Sequence, residues 1–126
     1  MRLVLDSGAL VALERNDRSV WRQLKNAQLA GTEVITHGGV VGQVWRGRGA
    51  REARLAQALA GVVVAGLDER LGRAAGELLA QARTKDVIDA AVVLLGADGD
   101  VVLTSDPLEL AALAEAAARD IEIVQV

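Results

Sequence analysis

Five short apolar runs constrain this chain more than any other feature: residues 3–5, 33–36, 62–65, 101–104 and 121–124. They are rich in Val, Ile and Leu and lack the polar alternation of a half-exposed strand. That pattern suits parallel strands buried on both faces. Helix-like stretches lie between and around them, at 9–14, 19–29, 39–46, 51–59, 69–82, 87–95 and 107–118. Helices between successive parallel strands supply right-handed crossovers. The expected architecture is therefore α/β, a three-layer α/β/α sandwich around a mostly parallel sheet of about five strands.

The length, 126 residues, fits a single domain spanning 1–126 with a real core. Phe and Tyr are absent and only Trp21 and Trp45 are aromatic, so Leu, Val and Ala must build that core. Without Cys, disulfides and thiolate metal sites are excluded. No apolar run reaches the roughly 20 residues that span a bilayer, and no signal-peptide pattern opens the chain. The expectation is a soluble cytoplasmic protein with no membrane partner.

A net charge of −3 is not the footprint of a general nucleic-acid binder. Arg46, Arg48, Arg51 and Arg54 nevertheless cluster, with Glu52 the one acid among them. Such a stretch is either a solvated helix face or a phosphate contact. Arg46 and Arg48 are the candidates for the second role. Gly31, Gly61 and Gly96 each follow a helical pattern, where a left-handed C-cap is expected.

The acids are placed pointedly. Arg2-Leu3-Val4-Leu5 ends in Asp6, and Val101-Val102-Leu103 ends in Thr104-Ser105-Asp106. Asp86 and Asp89 open the apolar helix between them, three apart and hence on one face. Each acid taken singly has a capping explanation. Asp6 precedes a helix, Asp86 can cap with Asp89 reaching back, and Asp106 with Pro107 is an N-cap followed by proline at the first helical position. Thr104 and Ser105 either turn the chain or hydrogen-bond a bound water or phosphate. Jointly, three acidic stations at strand and helix ends point to a site for a hard divalent cation, Mg²⁺ or Mn²⁺, and so to phosphodiester hydrolysis. Asp89 is the better ligand of its pair, because a capping Asp86 commits oxygen to its own helix. His37 is the one histidine. It reads as a surface or capping residue, with substrate contact the lesser alternative.

Four segments carry a resemblance across nearly the whole chain: Leu3-Val4-Leu5-Asp6-Ser7-Gly8-Ala9-Leu10, Val40-Val41-Gly42-Gln43-Val44-Trp45-Arg46-Gly47, Asp86-Val87-Ile88-Asp89-Ala90 and Val102-Leu103-Thr104-Ser105-Asp106-Pro107. In this order they resemble a PIN domain, specifically a VapC-type toxin of a type II toxin–antitoxin pair. The resemblance implies an Mg²⁺- or Mn²⁺-dependent endoribonuclease that inhibits translation, a VapB-like antitoxin partner, an RNA substrate and a homodimer. It makes Asp6 and Asp89 metal carboxylates, Asp86 an alternative or additional ligand, and Asp106 the last acidic station, supported by Thr104. One position departs. Where the family generally has Glu after the second strand, this chain has Gln43. A neutral amide there leaves the site one charge poorer. It keeps open an alternative, a weakened PIN domain acting mainly by binding antitoxin or RNA.

Overall fold

All five apolar runs form strands in the computed structural model, which describes residues 1–126. In chain order the elements are β1 (Leu3–Leu5), α1 (Ser7–Glu14), α2 (Arg18–Leu29), β2 (Val34–His37), α3 (Gly38–Val44), α4 (Gly49–Leu59), β3 (Val63–Ala65), α5 (Glu69–Ala82), α6 (Val87–Leu95), β4 (Val101–Thr104), α7 (Pro107–Ala116) and β5 (Glu122–Gln125). Every strand pair is parallel, in the order β3-β2-β1-β4-β5. The chain builds outward from β1 through β2 to β3, then returns to place β4 on the other side of β1. The β1–β4 boundary is therefore the topological switch point, where the carboxyl ends of an open sheet form a crevice.

Helices α1 to α4 pack against one another, as do α5 to α7, and these two sets form the outer layers. The core is a cluster of 26 buried side chains drawn from Leu, Val, Ala and Ile. Trp21 packs only at its margin and Trp45 is exposed. Small residues replace aromatic bulk where layers meet: Ala75 of α5 and Ala90 and Ala91 of α6 are fully buried. No helix is long and apolar enough to cross a membrane.

Several boundaries differ from the sequence expectation. Strand β2 extends to His37, and β5 is displaced by one residue because the ladder pairs Val101 with Glu122, leaving Ile121 to pack below it. Helix α1 begins at Ser7, directly after its cap, while α3 stops at Val44 because Trp45 is extended. Of the three expected left-handed glycines only Gly31 is one, at φ 74°. Gly96 is extended and is needed for room instead, since a Cβ there would stand 2.8 Å from Ile121 Cδ1. Gly61 likewise lacks a positive φ; the left-handed cap of α5 falls on Arg83 and that after α7 on Ala118.

Candidate metal centre

The carboxyl end of β1 delivers Asp6 to the switch point, 3% exposed. Its Oδ1 accepts the Ala9 N–H at 3.0 Å and so caps α1. Gly8 makes the close approach to the neighbouring loop possible, because a Cβ there would come within 2.8 Å of the Ser105 backbone nitrogen. Burial raises the Asp6 pKa above its ordinary value, against hydrogen bonds from the Thr104 hydroxyl and the N–H groups of Ala9, Gly8 and Ser105. Thr104 is itself fully buried at the end of β4, and its Oγ1 also accepts the Asp106 N–H at 2.9 Å. This one hydroxyl ties the acid of β1 to the turn that starts α7.

Helices α6 and α7 bring the other acids. Asp86, Asp89 and Glu109 each place a carboxylate oxygen within 4.8 Å of the others. Asp86 caps α6, its Oδ1 accepting the Asp89 N–H at 3.0 Å. Asp89 stands in the first turn of that helix, and its pKa is pushed up to about 7. Burial is the main cause, followed by the negative charges of Asp86, Glu109 and Asp6 and a proton-sharing bond to Asp86. Glu109 is raised as well, by a hydrogen bond to Asp106, by burial and by the charges of Asp106 and Asp86. No cationic side chain relieves this crowding, for the ion pairs of the chain are Arg2–Glu33, Arg2–Asp100 and Arg73–Glu69.

The expected acids are thus distributed unevenly. Asp86 and Asp89 belong to the three-oxygen group, and Asp6 lies close enough to raise Asp89. Asp106 stands one step back. It caps α7 with Pro107 at its start, accepting the Glu109 N–H at 3.4 Å. The third member of the group is Glu109, which the sequence reading missed. Its signal was present, because Glu three residues after an N-cap is capping-box spacing. Such a residue sits in the first turn, beside whatever its cap touches.

Gln43 is exposed and lines a hollow of about 380 Å³ with Glu14, Arg15, Arg46, Arg48, Arg51 and Glu52 among its neighbours, and none of the three clustered acids lines it. Arg46 is already engaged there. Its guanidinium donates to the carbonyls of Gly42, Gln43 and Trp45, at 3.3, 3.0 and 2.8 Å, and closes the end of α3. Arg48 makes no ion pair and remains exposed. His37 is not at the surface: it is fully buried, and in the capping role expected of it its Nδ1 accepts the Gly39 N–H at the start of α3. Ser105 is exposed beside Gly8.

The donor set fits a hard divalent ion, because all its atoms are oxygens and the acids repel one another. No protein-family model matches the sequence. Nor does any curated protein. A solved structure does match: a chain in the crystal structure of VapBC2 from Rickettsia felis bound to a DNA fragment from their promoter. The two share 12% identity with a TM-score of 0.72, over 100% of this chain and 99% of that one. A likeness at that identity is a likeness of fold, and the chain accordingly has the PIN-like α/β fold that its motifs led us to expect.

Proposed function

We propose that the protein is a divalent-metal-dependent endoribonuclease of the VapC type, a toxin held in check by a VapB-like antitoxin. The observation that carries this reading is the convergence of Asp86, Asp89 and Glu109 at the switch point, beside buried Asp6 and with no cationic neighbour. The shared fold with a chain of a VapBC2 assembly supports it.

Asp89 and Glu109 would hold the ion with Asp86, whose second oxygen is free of the α6 cap. Mg²⁺ or Mn²⁺ bound there would activate water and neutralise charge on the scissile phosphate. The Thr104 hydroxyl orients the Asp6 carboxylate, and Ser105, which is exposed, would meet a substrate phosphate. Since Arg46 is occupied at the α3 terminus, backbone phosphates of the RNA fall to Arg48, with Arg15 and Arg51 in the same hollow. Val63 and Val64, exposed on the edge strand β3, offer the apolar surface a second copy would cover in a homodimer.

Cleavage of a labelled single-stranded RNA tests the reading. Mn²⁺ should support cutting, EDTA should stop it, and Asp89→Asn or Glu109→Gln should remove it. Cutting that survives EDTA and both substitutions would overturn the metal mechanism. If instead the wild type binds RNA and Mn²⁺ without cutting, the weakened-domain alternative motivated by Gln43 is the better description.

A further inference from the structure

Two consecutive buried residues at the end of β2 take no part in the acidic group, yet each reaches a carbonyl next to an acid of the site, Asp6 or Asp89. The Thr36 hydroxyl donates to the Leu5 carbonyl at 2.7 Å, in the peptide that joins Leu5 to Asp6. The His37 ring meets the Ile88 carbonyl through Nε2 at 3.0 Å, in the peptide that joins Ile88 to Asp89. Nδ1 of the same ring accepts the Gly39 N–H at 3.1 Å, so Nε2 carries the proton and donates it. Both side chains are fully buried. Gly39 keeps the corner tight, since a Cβ there would come 2.9 Å from His37 Cε1 and 2.5 Å from Ile88 Cδ1.

We propose that Thr36 and His37 are the positioning residues of the acidic site, one fixing the backbone that presents Asp6 and the other the backbone that presents Asp89. The β1–β2 ladder pairs Leu3 with Val34 and Val4 with Ile35. Past those pairs the Thr36 hydroxyl continues the tie up to the peptide of Asp6. Helix α6 has no strand register to place it, and its first turn is crowded by mutually repelling carboxylates. A directional bond from β2 sets where that turn sits against the sheet. An apolar side chain would fill the volume but leave the Ile88 carbonyl unanchored to β2. Burial also lowers the His37 pKa, against the bond to Ile88, which keeps the ring neutral and its proton on one nitrogen. The significance for catalysis rests on the metal-site reading above, whereas the tether itself can be measured without metal.

Four substitutions separate positioning from bulk packing. His37→Asn keeps an acceptor where Nδ1 stands and loses the donor to Ile88; His37→Gln keeps a donor where Nε2 stands. Thr36→Val loses its donor and Thr36→Ser keeps it. Mn²⁺ affinity is read by calorimetry, and amide hydrogen exchange is mapped on the metal-free protein. His37→Asn and Thr36→Val should each weaken Mn²⁺ binding by about tenfold, the low end for groups that orient metal ligands. The Gln and Ser variants should restore most of it. Exchange should quicken locally, at residues 89–91 for His37→Asn and 6–9 for Thr36→Val. Unchanged Mn²⁺ affinity with exchange raised evenly over the chain would overturn the proposal. A wild type that binds no Mn²⁺ would sink the metal reading instead, and the exchange maps would then decide the tether alone. Should His37→Asn fail to fold, Thr36→Val and its Ser rescue carry the same test.

Discussion

Asp6 and Asp100 are equally buried, each 3% exposed, and they sit at opposite ends of the same sheet. Asp6 follows β1 and Asp100 precedes β4. Their surroundings push them in opposite directions. Asp100 accepts the Arg2 and Ala97 N–H groups at 2.6 and 2.8 Å and pairs with the Arg2 guanidinium at 3.3 Å. Burial alone would raise its pKa, but the Ala97 and Arg2 N–H groups and the Arg2 charge bring it below the ordinary value. Asp6 has hydrogen bonds but no cation, and burial prevails. The amino end of the sheet thus satisfies its carboxylate, whereas the carboxyl end leaves four acids in mutual tension. A buried acid that is fully paired holds structure; a group of acids left short of positive charge is what the proposed metal site requires.

The largest expected effect is at the satisfied end. Asp100→Ala strips the Arg2 and Ala97 N–H groups of a charged acceptor and should destabilise by about 3 kcal/mol, in the range for lost hydrogen bonds to a buried charge. Urea unfolding checks this, and a loss under about 1 kcal/mol, the scale of an exposed ion pair, would erase the contrast between the two ends. Asp89→Asn should behave oppositely. In the metal-free protein at pH 8 it removes a destabilising charge, so the variant should unfold at higher denaturant than the wild type.

The two ends also differ in the sign of their pH dependence. Asp89 has an ordinary value of 3.8 and a folded value of about 7. The folded state therefore holds the extra proton across that interval, and metal-free stability falls as pH rises through it. The site is half open to solvent, so the loss is screened to about 1–2 kcal/mol. Asp100, lowered in the fold, contributes stability above its unfolded value that is lost as pH falls through the folded one. Metal-free stability should accordingly peak in mild acid. Mn²⁺ at about a hundred times its dissociation constant adds about 2.7 kcal/mol and should move the maximum to neutral pH. Thermal melts from pH 4 to 8, with and without Mn²⁺ and in Asp89→Asn, check each part. A wild-type profile that Asp89→Asn does not flatten would assign the pH dependence elsewhere.

The central strands β1, β2 and β4 were legible because strands buried on both faces must be apolar throughout, whereas the edge strands β3 and β5 keep exposed positions; the acids were legible because each interrupts an apolar run or opens a helix. What sequence could not show is which acids meet. Asp106 and Glu109 lie one helical turn apart, and only the entry angle of α7 decides that Glu109 joins Asp86 and Asp89 while Asp106 caps. The capping role read for His37 holds, but its burial and its bond to Ile88 escaped the sequence for a related reason. A lone imidazole has no periodicity to betray it, and its two partners, Gly39 and Ile88, come from segments 2 and 51 residues away. Left-handed turns were misassigned because glycine serves space as often as conformation. Gly96 makes room for Ile121 while Arg83 takes the strained φ.

The smallest expected effect concerns Gln43, the position where the family resemblance led us to look for a missing charge. It is exposed and lines the hollow that Arg15, Arg46, Arg48 and Arg51 share with Glu14 and Glu52. Gln43→Glu adds a carboxylate opposite Arg15, Arg48 and Arg51, a surface pairing worth under about 1 kcal/mol. A carboxylate directed into that hollow would not add to the repulsion that raises Asp89. Mn²⁺ affinity should thus stay within the error of a thermal titration, and RNA affinity should fall slightly as the arginines gain an internal partner. A sharp rise in Mn²⁺ affinity would show that the two regions are one. The carboxyl end of the sheet would then extend its acidic field across α3, and the charge absent at Gln43 would be part of the same site after all.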